Sequence, residues 1–152
     1  MIEIKENQEL VLRKVISFRG KFEQTELEKV GKEMESYIKN VGAKKLGNPV
    51  TATYAVNGRL MDVEIIIPID MKIKSSEKYT YREQLKIINA VEMLYKGHPI
   101  GLEDACNQLN QYIIEHNLHP ITVGYNVTKN VDIMNLENTE IDVYVGINPN
   151  IV

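Results

Sequence analysis

The sequence predicts an α+β fold: tandem duplicated β-α-β-β units forming one antiparallel sheet, with two helices on one face and a concave cleft on the other. Three observations predict it. They are an internal repeat, two amphipathic helical patterns, and β-branched runs bounded by turn residues. The repeat appears when residues 2–20 (IEIKENQELVLRKVISFRG) are laid without a gap on 79–97 (YTYREQLKIINAVEMLYKG), which sets Phe18-Arg19-Gly20 against Tyr95-Lys96-Gly97. Further along, 27–38 (LEKVGKEMESYI) matches 102–113 (LEDACNQLNQYI), 50–56 (VTATYAV) matches 121–127 (ITVGYNV), and 61–69 (MDVEIIIPI) matches 141–149 (IDVYVGINP). Identities are few, but segments matched in one order over the whole chain point to a duplicated unit. The expectation is a single domain over 1–152, with pseudo-repeats of about 1–70 and 78–152.

The helices follow from spacing. Leu27, Val30, Met34, Tyr37, Ile38 and Val41 recur at helical intervals, as do Leu102, Ala105, Cys106, Leu109, Tyr112 and Ile113. Thr25 with Glu28 three residues later reads as a capping box, and Gly42 as the stop of the first helix. Asn117 takes the stop position of the second, with Pro120 soon after.

Strands are expected at 9–19, 50–57, 61–69, 79–96, 121–128 and 141–148, where β-branched and aromatic residues alternate with polar ones. The 79–96 run is long enough for two strands or one bent strand. Asn57-Gly58 marks a tight hairpin. The segment 129–139 has no counterpart in the first half and carries Val131, Ile133, Met134 and Leu136 among polar residues. It is expected to fold back as a flap, with some of Ile133, Met134 and Leu136 against the tyrosine-lined face.

At 152 residues, with 43% hydrophobic and 26% charged residues, the chain fits one globular core. A net charge of −3 offers no concentrated basic surface for nucleic acid or anionic lipid. No apolar run approaches the roughly 20 residues that cross a bilayer, and the N-terminal MIEIKENQEL lacks signal-peptide character. A cytoplasmic protein is expected, with no direct contact to nucleic acid or membrane. Cys106 has no partner cysteine and lies on a helical apolar stripe, so it reads as inert packing. His98, His116 and His119 lack metal-ligand spacing and read as loop or surface residues; no metal and no cofactor is expected.

Alternation divides the last strand of each unit by face. Met61, Val63, Ile65 and Ile67 suit the helix side, leaving Asp62, Glu64 and Ile66 opposite; Val143, Val145 and Ile147 do likewise, leaving Asp142, Tyr144 and Gly146. The 61–69 and 141–149 match makes Glu64 and Tyr144 equivalent, so a carboxylate and a phenol would oppose each other across the cleft axis. A partly buried carboxylate attracts a cation, accepts a hydrogen bond or serves as a general base. Neighbouring tyrosines offer stacking and cation-π surface. Phe18, Tyr54, Tyr95 and Tyr125 are the aromatic candidates for core or cleft wall, and Glu140 and Asp142 compete with Glu64 for the part of cleft carboxylate.

The duplicated order, the aromatic-basic-Gly at the end of each unit's first long segment and the Ile67-Pro68-Ile69 ending resemble the GyrI-like effector-binding domain. That family includes ligand-binding halves of multidrug-sensing regulators, stand-alone proteins that bind small molecules or gyrase, and hydrolases of strained cyclopropane-containing natural products. The resemblance implies a central cleft lined by aromatics, with a buried glutamate meeting cationic or polar ligands. Family members usually carry that acid on a late strand, where this chain has Tyr144. No helix-turn-helix pattern precedes the repeat, so regulation through direct DNA contact is not expected of this chain.

These readings favour a stand-alone protein binding a small amphipathic or cationic molecule through Glu64, Tyr144, Tyr54, Tyr125, Tyr95, Phe18 and Asp142. Two alternatives stay open. One is a small hydrolase of strained-ring or ester compounds, with Glu64 and Tyr144 as catalytic candidates. The other is a protein-interaction or inhibitor module.

Overall fold

The computed structural model describes residues 2–148; Pro149, the end of one matched segment, lies outside them. The fold is α+β, with six strands paired antiparallel and two α-helices among the described residues. In chain order they are β1 (Ile2–Glu23), α1 (Leu27–Asn40), β2 (Val50–Asn57), β3 (Leu60–Pro68), β4 (Thr80–Lys96), α2 (Leu102–Glu115), β5 (Tyr125–Asn130) and β6 (Glu140–Gly146). Among the described residues two compact units result, one of residues 11–86 and one combining 2–10 with 87–148. The division does not fall at the expected repeat boundary, because β1 and β4 each contribute residues to both units.

In the first unit β3 lies between β1 and β2, with Ile16 facing Ile67 and Val50 facing Ile66. The pleat sends Val63, Ile65, Ile67 and Ile69 into one core with Val30, Met34 and Ile38 of α1. In the second unit β6 lies between β4 and β5, and Ile141, Val143, Val145 and Ile147 pack with Ala105, Leu109 and Ile113 of α2. The face division expected from alternation therefore holds in both units. Each helix ends as its sequence predicts. Gly42 (φ 85°) and Asn117 (φ 53°) take the left-handed position. There the Ala43 N–H reaches the Ile38 carbonyl, and the Leu118 N–H the Ile113 carbonyl, both at 3.0 Å.

Several boundaries differ. The helical turn begins earlier than the expected box at Thr25: a 3₁₀ turn spans Gln24–Glu26, and the Glu26 carboxylate accepts the Glu23 backbone N–H at 2.9 Å. The 79–96 run is one strand bent at Asn89, whose positive φ of 51° lets its carbonyl accept the Ile147 N–H. Residues 121–124 stay outside β5 because Thr122 Oγ1 accepts the Gly146 N–H at 2.8 Å, bending the chain before the ladder starts. At the β2–β3 hairpin, Asn57 faces Leu60 and Gly58 sits at the first turn position with φ 63°.

The flap is corrected. Residues 131–139 are ordered around Asp132, whose Oδ1 accepts the Met134 and Asn135 N–H groups, and all three of Ile133, Met134 and Leu136 are exposed, the first two at 87% and 94%. Asp132 capping turns the apolar side chains outward. Loss of packing should therefore separate the two kinds of apolar residue. Met34→Ala and Leu109→Ala, at core positions, are expected to cost about 2–5 kcal/mol each, and Met134→Ser less than about 0.5 kcal/mol, as read by chemical denaturation.

Candidate functional site

On the face of β3 turned away from α1 lie Asp62, Glu64 and Ile66. Glu64 is only 4% exposed, and a carboxylate that far from water requires partners. Two are present. The Tyr54 hydroxyl donates to Glu64 Oε1 at 2.8 Å, and Arg82 Nη2 donates to Oε2 at 3.1 Å. Tyr54 reaches Glu64 because the β2–β3 register shifts between Thr53 and Ala55, leaving Tyr54 as the extra residue of a bulge that re-aims its side chain. Arg19, directly across from Glu64 on β1, stacks its guanidinium 3.7 Å from the centre of the Tyr54 ring. It also grips Asp62 with two bonds, Nε to Oδ1 at 3.0 Å and Nη2 to Oδ2 at 2.9 Å. That hydrogen-bonded pairing holds Asp62 below the usual carboxylate range and raises Arg19. Two acids, two guanidiniums and one phenol thus form a continuous cluster within this unit.

The second unit carries a different set on the corresponding face. Tyr144 faces Glu92 across the β4–β6 ladder and Tyr125 across the β5–β6 ladder, and all three are buried. Burial, then the hydrogen bond to the Glu92 carboxylate, pushes the Tyr144 phenol well above its ordinary value. Asp142, two residues back, is also raised, first by burial and then by the charge of Glu92, with Lys129 partly opposing at 3.7 Å. This arrangement keeps a neutral phenol beside carboxylates.

The ladders also correct the equivalence read from sequence. Arg19 faces Glu64 as Leu94 faces Asp142; Ala52 faces Glu64 as Val127 faces Asp142; the shift at Thr53/Ala55 recurs at Thr128/Asn130. Glu64 therefore corresponds to Asp142, Ile66 to Tyr144, Tyr54 to Lys129 and Asp62 to Glu140. The sequence match on Asp-Val had slid the second unit by two residues.

Among the sequence candidates, Glu64 and Tyr54 come together in one unit, and Tyr144, Tyr125 and Asp142 in the other. Phe18 and Tyr95 lie with the helix-side cores: Phe18 stands edge-on to Tyr79 with ring centres 5.6 Å apart, and the Tyr95 hydroxyl donates to the His98 carbonyl. Cys106 packs at the margin of the α2 core, and burial raises its thiol. Of the histidines, His98 Nδ1 accepts the Ile100 N–H, and His116 stacks on Tyr112. Arg19, Arg82, Glu92 and Lys129 were not singled out from sequence as site residues. Arg19 was visible in the aromatic-basic-Gly motif, and Glu92 as a lone acid within an apolar stretch of β4.

No protein-family model and no curated protein sequence matches the chain. Solved structures do. The EcmrR C-terminal domain is similar at TM-score 0.72 and 16% identity, covering 97% of each chain. EcmrR in its complex with DNA gives TM-score 0.78 and 16% identity over 97% of this chain, which spans 57% of the EcmrR chain. SAV2435, solved bound to tetraphenylphosphonium, is similar at TM-score 0.56 and 8% identity, covering 98% of this chain and 94% of that one. A hydrolase from Listeria innocua gives 0.59 and 10%, covering 97% and 91%. These likenesses establish the fold. No helix among the described residues is long and apolar enough to cross a membrane.

The direction of the Asp142 shift fixes a pH dependence. A carboxyl group whose folded pKa is raised lends stability that is present below its unfolded pKa and is lost as pH rises through the folded value. Asp142→Asn, which cannot ionise, is expected to melt at a higher temperature than the parent chain at pH 7. The advantage should disappear at pH values below the normal carboxylate range, and melting curves over pH 3–8 read it.

Proposed function

We propose that this chain binds a small amphipathic cation, with Glu64 as the counter-charge and the Tyr54 hydroxyl as the fixed second partner of that carboxylate. One observation carries the reading: Glu64 is a buried carboxylate that already holds a cationic head group, that of Arg82, whose side chain is 44% exposed and can swing into solvent. An incoming cation takes over the charge-assisted contact, while the Tyr54 hydroxyl keeps Oε1 satisfied. Arg82 acts as an internal competitor. The tetraphenylphosphonium bound to SAV2435, a protein of similar fold, supports the ligand class.

Titration calorimetry with tetraphenylphosphonium tests this. Glu64→Gln is expected to weaken binding at least tenfold, because the neutral amide cannot balance the ligand's charge. Arg82→Ala is expected to strengthen it, because the competitor is gone. Equal affinity in all three proteins would sink the assignment.

A second reading, hydrolysis of ester or strained-ring compounds, draws on the Listeria innocua hydrolase of similar fold and on the Tyr144–Glu92 pair. In this reading the Tyr144 hydroxyl hydrogen-bonds the substrate's oxygen and the Glu92 carboxylate serves as the base. If the reading holds, p-nitrophenyl acetate is turned over by the parent chain and at least tenfold more slowly by Tyr144→Phe; a rate unchanged by the substitution refutes it.

A further inference from the structure

A cavity of about 310 Å³ opens within the second unit, lined by Ile2, Leu94 and Tyr95, by the acids Glu3, Glu140 and Asp142, and by Lys96 and Lys129. Its volume lies at the lower end of the range for small-molecule pockets. The same structural positions in the first unit are filled. Leu94 stands where Arg19 stands, Lys129 where Tyr54 does, Glu140 where Asp62 does, and Asp142 where Glu64 does. In the first unit the Arg19 guanidinium occupies the space, gripped by Asp62 and stacked on Tyr54. In the second, the arginine is a leucine and the acids remain.

We propose that this cavity receives a small molecule bearing a guanidinium or amidinium group, which takes between Glu140 and Asp142 the place that Arg19 takes in the other unit. The chain's own first unit is the template for the recognition. A planar, forked cation matches the paired donors that Arg19 presents to Asp62, whereas an ammonium offers a point charge. Leu94 and Ile2 supply an apolar wall for the body of the ligand. Lys129 is the group to be displaced: its Nζ is 3.7 Å from Asp142 Oδ2, a loose contact, and its side chain is 51% exposed. Asp142 is buried and aligned by the ladder, so it does not have to be ordered on binding. This site is separate in residues from the Glu64 cluster and stands or falls without it.

Benzamidine and its uncharged analogue benzamide are the probes, titrated into the full chain by calorimetry. Benzamidine is expected to bind, and benzamide at least tenfold more weakly. Leu94→Arg, which supplies the guanidinium from within as Arg19 does, is expected to abolish benzamidine binding and raise the melting temperature. Glu140→Gln, at a half-buried position that does not threaten folding, is expected to weaken it at least tenfold, and Lys129→Met to strengthen it. Equal affinity for the two probes, no binding of benzamidine, or an affinity indifferent to Glu140→Gln would each overturn the proposal. Loss of binding in Glu64→Gln with none in Glu140→Gln would place the cation in the other unit and overturn it as well.

Discussion

The pleat of β3 is the constraint on which the first unit depends. With a side-chain period of two, the apolar row Val63, Ile65, Ile67 cannot reach α1 unless Asp62, Glu64 and Ile66 point the other way. Glu64 is thereby driven out of water, and the strands beside it have to supply its partners. Those partners come from three different strands, Tyr54 from β2, Arg82 from β4 and, through Asp62 and the tyrosine ring, Arg19 from β1. A slip of one residue in any ladder would expose the core row and strip the carboxylate of its bonds together. Packing and polar satisfaction therefore specify the same register, which is the consistency across levels that a uniquely folded sequence needs.

The bulge at Tyr54 connects that register to chemistry. A regular β2 would send residue 54 to one side of the ladder and its neighbours to the other, whereas the extra residue bends the strand and turns the ring over Glu64. The second unit keeps the bulge at Lys129 and changes what it presents. Similar ladder geometry with different side chains gives two micro-environments of opposite tendency. One acid, Asp62, is held ionised by a guanidinium, and the other, Asp142, is held toward protonation by burial and a neighbouring carboxylate.

Much of this was legible in the sequence, and the exceptions have physical causes. Both helices, both helix stops and the inner face of β3 and β6 follow from periodicity and from Gly42 and Asn117, since these depend on local backbone geometry. Glu64 and Tyr54 were legible as candidates. Their bond was not, because it depends on a bulge that leaves no composition signal. The equivalence of Glu64 with Tyr144 failed for the same reason. An alignment rewards the shared Asp-Val and the shared tyrosines, but the ladder counts residues from the bulge, and by that count Asp142 is the counterpart. Glu92 was missed because it meets Tyr144 only when β4 lies beside β6, and Arg82 because its side chain reaches Glu64 on a strand that its own does not pair with. The flap was misread because apolar residues in a loop were assumed to seek cover, whereas Asp132 organises a turn that leaves Ile133 and Met134 in water.

The buried charges themselves carry an argument about use. Ion pairs withdrawn from water return little net stability, since desolvation offsets most of the attraction, and well-packed apolar residues of similar volume often serve as well or better. The opposite face of the same strand demonstrates that this chain can fill such space with isoleucine and valine. Net stability thus gives little reason for a buried glutamate in one unit, or for two buried carboxylates against a phenol in the other. Groups of this kind do something that apolar packing cannot: their directional bonds, such as those of Tyr54 and Arg82 to Glu64, fix which side chains stand together on this face. The exposure of Arg82 adds the second requirement. A counter-ion anchored at its backbone but half open to solvent satisfies Glu64 here, and in the binding role proposed above it is the group that gives way to the incoming cation.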